Sequence, residues 1–115
     1  MTNYRGSCHC GDVHFEIEGA LERASECNCS ICSRVGWRMA SLPKAQFRLL
    51  RGEDAQTNYQ FGPKSMQHLF CRRCGVHAYG VWGSGADEKV IVNLRCLEDF
   101  PWASLPVDHF DGKSY

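Results

Sequence analysis

The sequence has 115 residues, 13 basic and 13 acidic side chains, a formal net charge of +0 and a pI of about 6.9. That balance gives no electrostatic footprint for nucleic acid or an anionic membrane, and no run approaches the ~18 apolar residues needed to span a bilayer. With 43% hydrophobic and 23% charged residues it has the ordinary make-up of a globular chain, of a length that suits one domain over 1–115.

The first residues, Met1–Gly6, carry neither an apolar run nor a small-residue cleavage pattern, so no export signal and a cytoplasmic setting are expected. Next, Val13, Phe15 and Ile17 alternate with His14, Glu16 and Glu18 between Gly11 and Gly19, the period-2 pattern of a half-buried strand. A short helical turn is expected at Ile31–Val35. Strand candidates follow at Phe47–Arg51 before Gly52, Asn58–Phe61 before Gly62-Pro63, Met66–Cys71, Val76–Trp82 and Lys89–Leu94. Between the last two, Trp82–Asp87 reads as a loop or hairpin turn, and a further turn of helix is expected near Leu97–Phe100. No segment of about a dozen residues carries a 3.6-residue apolar period. The expected class is all-β, with little helix.

Eight cysteines dominate the chemistry: Cys8, Cys10, Cys27, Cys29, Cys32, Cys71, Cys74 and Cys96. An even count permits a disulfide framework. Seven of the eight, however, fall in C-x-C or C-x-x-C pairs, which are badly placed to bridge one another and well placed to grip a metal. Cys8-His9-Cys10-Gly11 and Cys71-Arg72-Arg73-Cys74-Gly75 share a Cys-Gly ending. A glycine after the second ligand lets the chain turn with positive φ and aim backbone N–H groups at the sulfurs. These two half-sites are expected to form one closed four-thiolate zinc site.

The cluster Cys27-Asn28-Cys29-Ser30-Ile31-Cys32 differs, offering three sulfurs within six residues and no Cys-Gly ending. Three protein ligands with a vacant position is the pattern of catalytic zinc, whereas a fourth ligand from Cys96 or a histidine would close the site. Read alone, Cys96 is a small buried hydrophobe. None of His9, His14, His68, His77 and His109 has metal-like spacing. Glu26 and His68 have only their adjacency to ligands to recommend them as acid–base residues. Three thiolates make an electron-rich zinc, a poor generator of hydroxide but a good host for a soft sulfur. A small thiol substrate is therefore expected at the open position. With both sites filled, seven thiolates and two Zn²⁺ contribute −7 + 4 = −3 to the charge.

The run Gly6-Ser7-Cys8-His9-Cys10-Gly11-Asp12-Val13-His14-Phe15 resembles the opening of glutathione-dependent formaldehyde-activating enzymes, whose domain is shared with centromere protein V. Cys27–Arg34, Phe70-Cys71-Arg72-Arg73-Cys74-Gly75 and Val92-Asn93-Leu94-Arg95-Cys96-Leu97 are similar to later segments of that family, in order. The resemblance implies a zinc-held β-sandwich of the β-tent type, seen also in a chaperone of small GTPases. It implies structural zinc at Cys8, Cys10, Cys71 and Cys74, and catalytic zinc at Cys27, Cys29 and Cys32. It also implies a carbon–sulfur lyase that joins glutathione to formaldehyde as S-hydroxymethylglutathione. A non-catalytic binding module, as in centromere protein V, is the alternative. Arg34, Arg38, Arg72 and Arg73 are the cations near these clusters, each read as solvated surface charge. Trp37, Phe61 and Trp82 are candidates to line a pocket, though aromatics of a small β domain are usually core.

Overall fold

The computed structural model describes residues 3–61, 66–83 and 85–114. It holds ten strands: β1 (Asn3–Ser7), β2 (His14–Glu18), β3 (Ala24–Cys27), β4 (Met39–Pro43), β5 (Phe47–Arg51), β6 (Gln56–Tyr59), β7 (Met66–Cys71), β8 (Tyr79–Trp82), β9 (Lys89–Asn93) and β10 (Val107–Phe110). One helix, α1 (Ser30–Val35), follows β3, and the other helical pieces are three-residue 3₁₀ turns. The chain is mostly β, as expected from its short alternating segments.

The strands form two sheets. The smaller has the order β1-β2-β5 and the larger β10-β3-β4-β9-β8-β7-β6. All neighbours pair antiparallel except β10, which runs parallel to β3, with Val107 beside Ala24 and Phe110 beside Cys27. The alternation in β2 decides the packing. Phe15 and Ile17 point inward and are fully buried, while His14 and Glu16 stay half-exposed. Phe15 stacks on Phe47 of the same sheet at 5.4 Å and meets Tyr79 of the other sheet edge-on at 6.2 Å. These rings, with Val90 and Val92 of β9, are where the two sheets share one core. Burying a ring of that size contributes about 1.5–3 kcal/mol.

The expected strands at Phe47–Arg51 and Met66–Cys71 have those bounds. Others shift. The segment expected at Asn58–Phe61 spans Gln56–Tyr59, because pairing with β7 runs from Gln56 opposite Cys71 to Tyr59 opposite His68. Gly62-Pro63 lies outside the described residues. The Val76–Trp82 strand begins only at Tyr79, since Val76 closes the turn after Cys74 by accepting the Cys71 N–H at 3.0 Å. The helical turn expected at Leu97–Phe100 is displaced to Leu94–Cys96, where the Asn93 side chain caps it by accepting from the Arg95 N–H at 3.1 Å. That asparagine also donates to the His77 carbonyl at 2.9 Å, tying the end of β9 to the loop before β8.

Candidate metal centres

The sulfurs of Cys8, Cys10, Cys71 and Cys74 lie within 4.8 Å of one another. Cys8 to Cys10 measures 3.7 Å and Cys10 to Cys71 measures 3.5 Å. Four sulfurs about 2.3 Å from a central ion stand about 3.8 Å apart in a tetrahedron, so the donor set fits a thiolate-bound zinc in type and spacing. Two similar turns build it. In each, the N–H of the first cysteine donates to a carbonyl five residues on, Cys8 to Val13 at 3.1 Å and Cys71 to Val76 at 3.0 Å. Gly11 and Gly75 follow the second cysteines with φ of 85° and 80°, the conformation that the Cys-Gly endings suggested. Backbone N–H groups then face sulfur: Val13 donates to Cys8 at 3.3 Å, and Arg73 and Cys74 each donate to Cys71 at 3.4 Å.

These sulfurs divide their protons unequally. Burial opposes ionisation of Cys74, but the N–H groups of Val76 and Cys10 and the neighbouring thiols outweigh it and bring its pKa to about 6. The Asp12 N–H favours the Cys10 thiolate, yet burial and the three adjoining sulfurs push that thiol up to about 12. A divalent ion supplies the positive charge that lets all four ionise together.

The second centre sits where β3 gives way to α1. Cys27 ends the strand, Cys29 is the N-cap of the helix, and Cys32 is buried in its first turn. Their sulfurs also lie within 4.8 Å of one another, and among the described residues no fourth cysteine, histidine or carboxylate joins them. The Cys29 N–H faces Cys27 sulfur at 3.5 Å, and the Cys32 N–H faces Cys29 sulfur at 3.5 Å. For Cys29, burial is outweighed by the N–H groups of Cys32 and Ile31 and by the neighbouring thiols, so its pKa falls. Burial, aided by the adjoining sulfurs, pushes Cys32 up to about 12. Three thiol donors with no fourth protein ligand among the described residues fit a soft divalent ion. Cys96 does not close this site: it is half-buried beside Cys8 and Cys74, and burial together with those sulfurs raises it to about 11. All eight cysteines are free thiols, so no disulfide framework forms.

Over residues 3–110 the chain matches the glutathione-dependent formaldehyde-activating enzyme family. It belongs to that family. A crystal structure of a Rhodobacter sphaeroides protein is similar to it, with 35% sequence identity and a TM-score of 0.78 over 90% of this chain and 99% of that one. Both cysteine clusters fall within the span shared with the family.

Around the second centre, this family member places its aromatics differently from expectation. Trp37 is buried, but Phe61 and Trp82 are 41% and 47% exposed, so they are not core. Phe61 stands on the edge side of the larger sheet, stacked at 5.7 Å on His68 and at 5.9 Å on Tyr59. With Tyr59, Ser30, Ile31 and Arg34 it lines a shallow groove along α1. Behind it His68 meets His77 at 5.6 Å, and His77 packs on Trp37 at 4.3 Å. Neither ring nitrogen of His77 has a hydrogen-bond partner, and burial, with His68 adding to it, lowers its pKa to about 4. The Trp37 indole N–H has no partner in range either, though it lies near enough to Cys32 to oppose the rise of that thiol.

The four arginines act at the surface. Arg34 donates to the Ser30 carbonyl at 2.7 Å, Arg73 stands 3.8 Å from Asp12, and Arg72 is exposed. Arg38 pairs with Glu26 at 3.2 Å, which occupies the carboxylate that adjacency alone had suggested as a base. Two features beside the second centre escape a reading of spacing. His77 is singled out by its buried, unpartnered ring, and Gly112 by a backbone that crosses Cys27. The latter follows Asp111, which Asn28 reaches by a hydrogen bond across 83 positions, too far for any motif to register.

Proposed function

We propose that residues 1–115 form one zinc domain that works as a thiol-dependent carbon–sulfur lyase, with S-hydroxymethylglutathione formed from glutathione and formaldehyde as its reaction. In this reading Cys8, Cys10, Cys71 and Cys74 hold a structural zinc, and Cys27, Cys29 and Cys32 hold the zinc used in catalysis. The observation that carries it is the convergence of three sulfurs with no fourth protein donor among the described residues. When bound there, zinc supplies a soft Lewis acid with a free position, chemistry that favours an ionised thiol near neutral pH.

The chain's own part is to fix the donors. Cys29 caps α1 and is oriented by the Cys32 N–H, while Cys32 is held in the wall beside Trp37. Backbone N–H groups of Cys29 and Cys32 point at sulfurs that carry negative charge, offsetting its accumulation in a partly buried place. The overall step forms one sulfur–carbon bond, and the thiol proton ends on the former carbonyl oxygen. Free thiols at eight positions suit a reducing compartment, with the cytosol as the natural choice.

Exchange-resolved NMR of glutathione with labelled formaldehyde tests this directly. Zinc-loaded protein is expected to speed interconversion of free and hydroxymethylated glutathione above the spontaneous rate, and the same amount of Cys29→Ser protein is expected to leave it unchanged. No acceleration by protein carrying two zinc ions per chain would reject the lyase reading.

A further inference from the structure

Asn28 lies between two ligands of the second centre, and the C-terminal turn engages all three of its polar groups bearing on that side. Its backbone N–H donates to the Phe110 carbonyl at 3.2 Å, its amide nitrogen donates to Asp111 Oδ1 at 2.8 Å, and its amide oxygen accepts from the Lys113 N–H at 2.9 Å. Asp111 is fixed in turn, because its second oxygen accepts from the Ser114 hydroxyl at 2.6 Å. The turn held this way crosses the sulfurs. A Cβ placed on Gly112 would stand 2.5 Å from Cys27 sulfur and 3.2 Å from Cys29 Cβ, so a bare backbone is what fits. Asn28 itself is exposed, and an exposed asparagine gains little from any one such bond against water. Three bonds converging from one short segment make a latch.

We propose that Asn28 is a positioning residue of the three-cysteine centre: it fastens the 111–114 turn across Cys27 and Cys29, closing one flank of the sulfur triangle against ligand exchange. The inference rests on the reading of that triangle as a metal site. An open three-thiolate ion is lost when a competing ligand attacks it, and attack needs an uncovered approach. With the flank over Cys27 covered, exchange is left to the remaining open side, where a substrate thiol would enter. The four-cysteine centre lies elsewhere in the fold and gains nothing from this turn.

The test is metal release from the zinc-loaded full chain into an excess of a coloured chelator. Two phases are expected, the faster from the second centre. Asn28→Ala should speed the fast phase about tenfold, the scale of one hydrogen bond to a charged group. Asn28→Asp, which sets a carboxylate against Asp111, should speed it at least as much. The slow phase should not change in either variant, which also verifies that the fold survives. Combining Asn28→Asp with Asp111→Asn rebuilds the amide–carboxylate pair with its direction reversed and keeps an oxygen for the Lys113 N–H. That double variant should return the fast phase to within about twofold of the parent. A fast phase indifferent to Asn28→Asp, or a double variant no slower than Asn28→Asp, would overturn the latch while leaving the metal site standing. A parent chain that binds and releases a single zinc would overturn both.

Discussion

Replacing one ligand in each centre should separate their roles by the length of chain each one closes. Cys10 and Cys71 meet across 61 positions, so an ion shared by them holds closed a long loop that the folded chain must otherwise close unaided. Loop-closure entropy for a link of that span is about 4 kcal/mol. Cys71 is also 1% exposed, and a serine hydroxyl there would trade a thiolate ligand for a poorer one in a buried place. The second centre closes almost nothing: Cys27 to Cys29 spans 2 positions and Cys29 to Cys32 spans 3. Serine is moreover a favoured N-cap, so Cys29→Ser keeps the cap on α1 and should cost under about 1 kcal/mol. At about 4 °C per kcal/mol for a domain of this size, we expect Cys71→Ser to melt about 15 °C below the zinc-loaded parent and Cys29→Ser less than about 4 °C below it. Scanning calorimetry gives the melting points, and elemental mass spectrometry of the same samples gives zinc per chain. The reasoning fails if Cys29→Ser melts as low as Cys71→Ser, or if it still carries two zinc ions.

His77 should make stability depend on pH. Its folded pKa of about 4 lies below the unfolded value of 6.5, so between those limits the unfolded chain holds more protons and stability falls as pH falls. The contribution is complete above pH 6.5, amounts to at most about 3 kcal/mol, and about 2 kcal/mol of it is gone by pH 5. Acid also strips thiolate-bound metal, so the comparison is with His77→Phe in urea melts at each pH, where parallel curves would dismiss the effect. In the core, Phe15→Ala should cost about 3–5 kcal/mol, because this fully buried ring stacks on Phe47 of its own sheet and meets Tyr79 across the gap between sheets. A shift in urea midpoint worth under about 1 kcal/mol would mean that the sheets do not depend on it.

What could be read from the residues followed how local its cause was. β2 and β9 carry their own alternation, β5 and β7 their own apolar content, and both Cys-Gly turns declare their geometry within a few residues. β1 and β3 do not, since Asn3–Ser7 and Ala24–Cys27 are short, polar and strand-like only through their partners β2 and β10. β10 was invisible for the same reason, with Asp108 and His109 filling it, while β4 buries Ala40 and Leu42 but is a five-residue piece that ends in Pro43. The pairing of aromatic character with burial failed at Phe61, which lies just past the end of β6, and at Trp82, the last residue of β8, neither of which sits over the shared core. The three-cysteine cluster was legible as a ligand set, while its cover was not, because Asp111, Gly112 and Lys113 reach it only through the return of β10 to β3.

That return also orders events at the ribosome. Synthesis at about 5–20 residues per second takes about 4–17 s to cross the 83 positions separating Asn28 from Asp111. Throughout that interval Cys27, Cys29 and Cys32 are already made, yet the strand that will lie beside them is not. The nascent chain therefore has a period in which these sulfurs meet whatever metal, thiol or oxidant surrounds it, and it ends only when β10 docks.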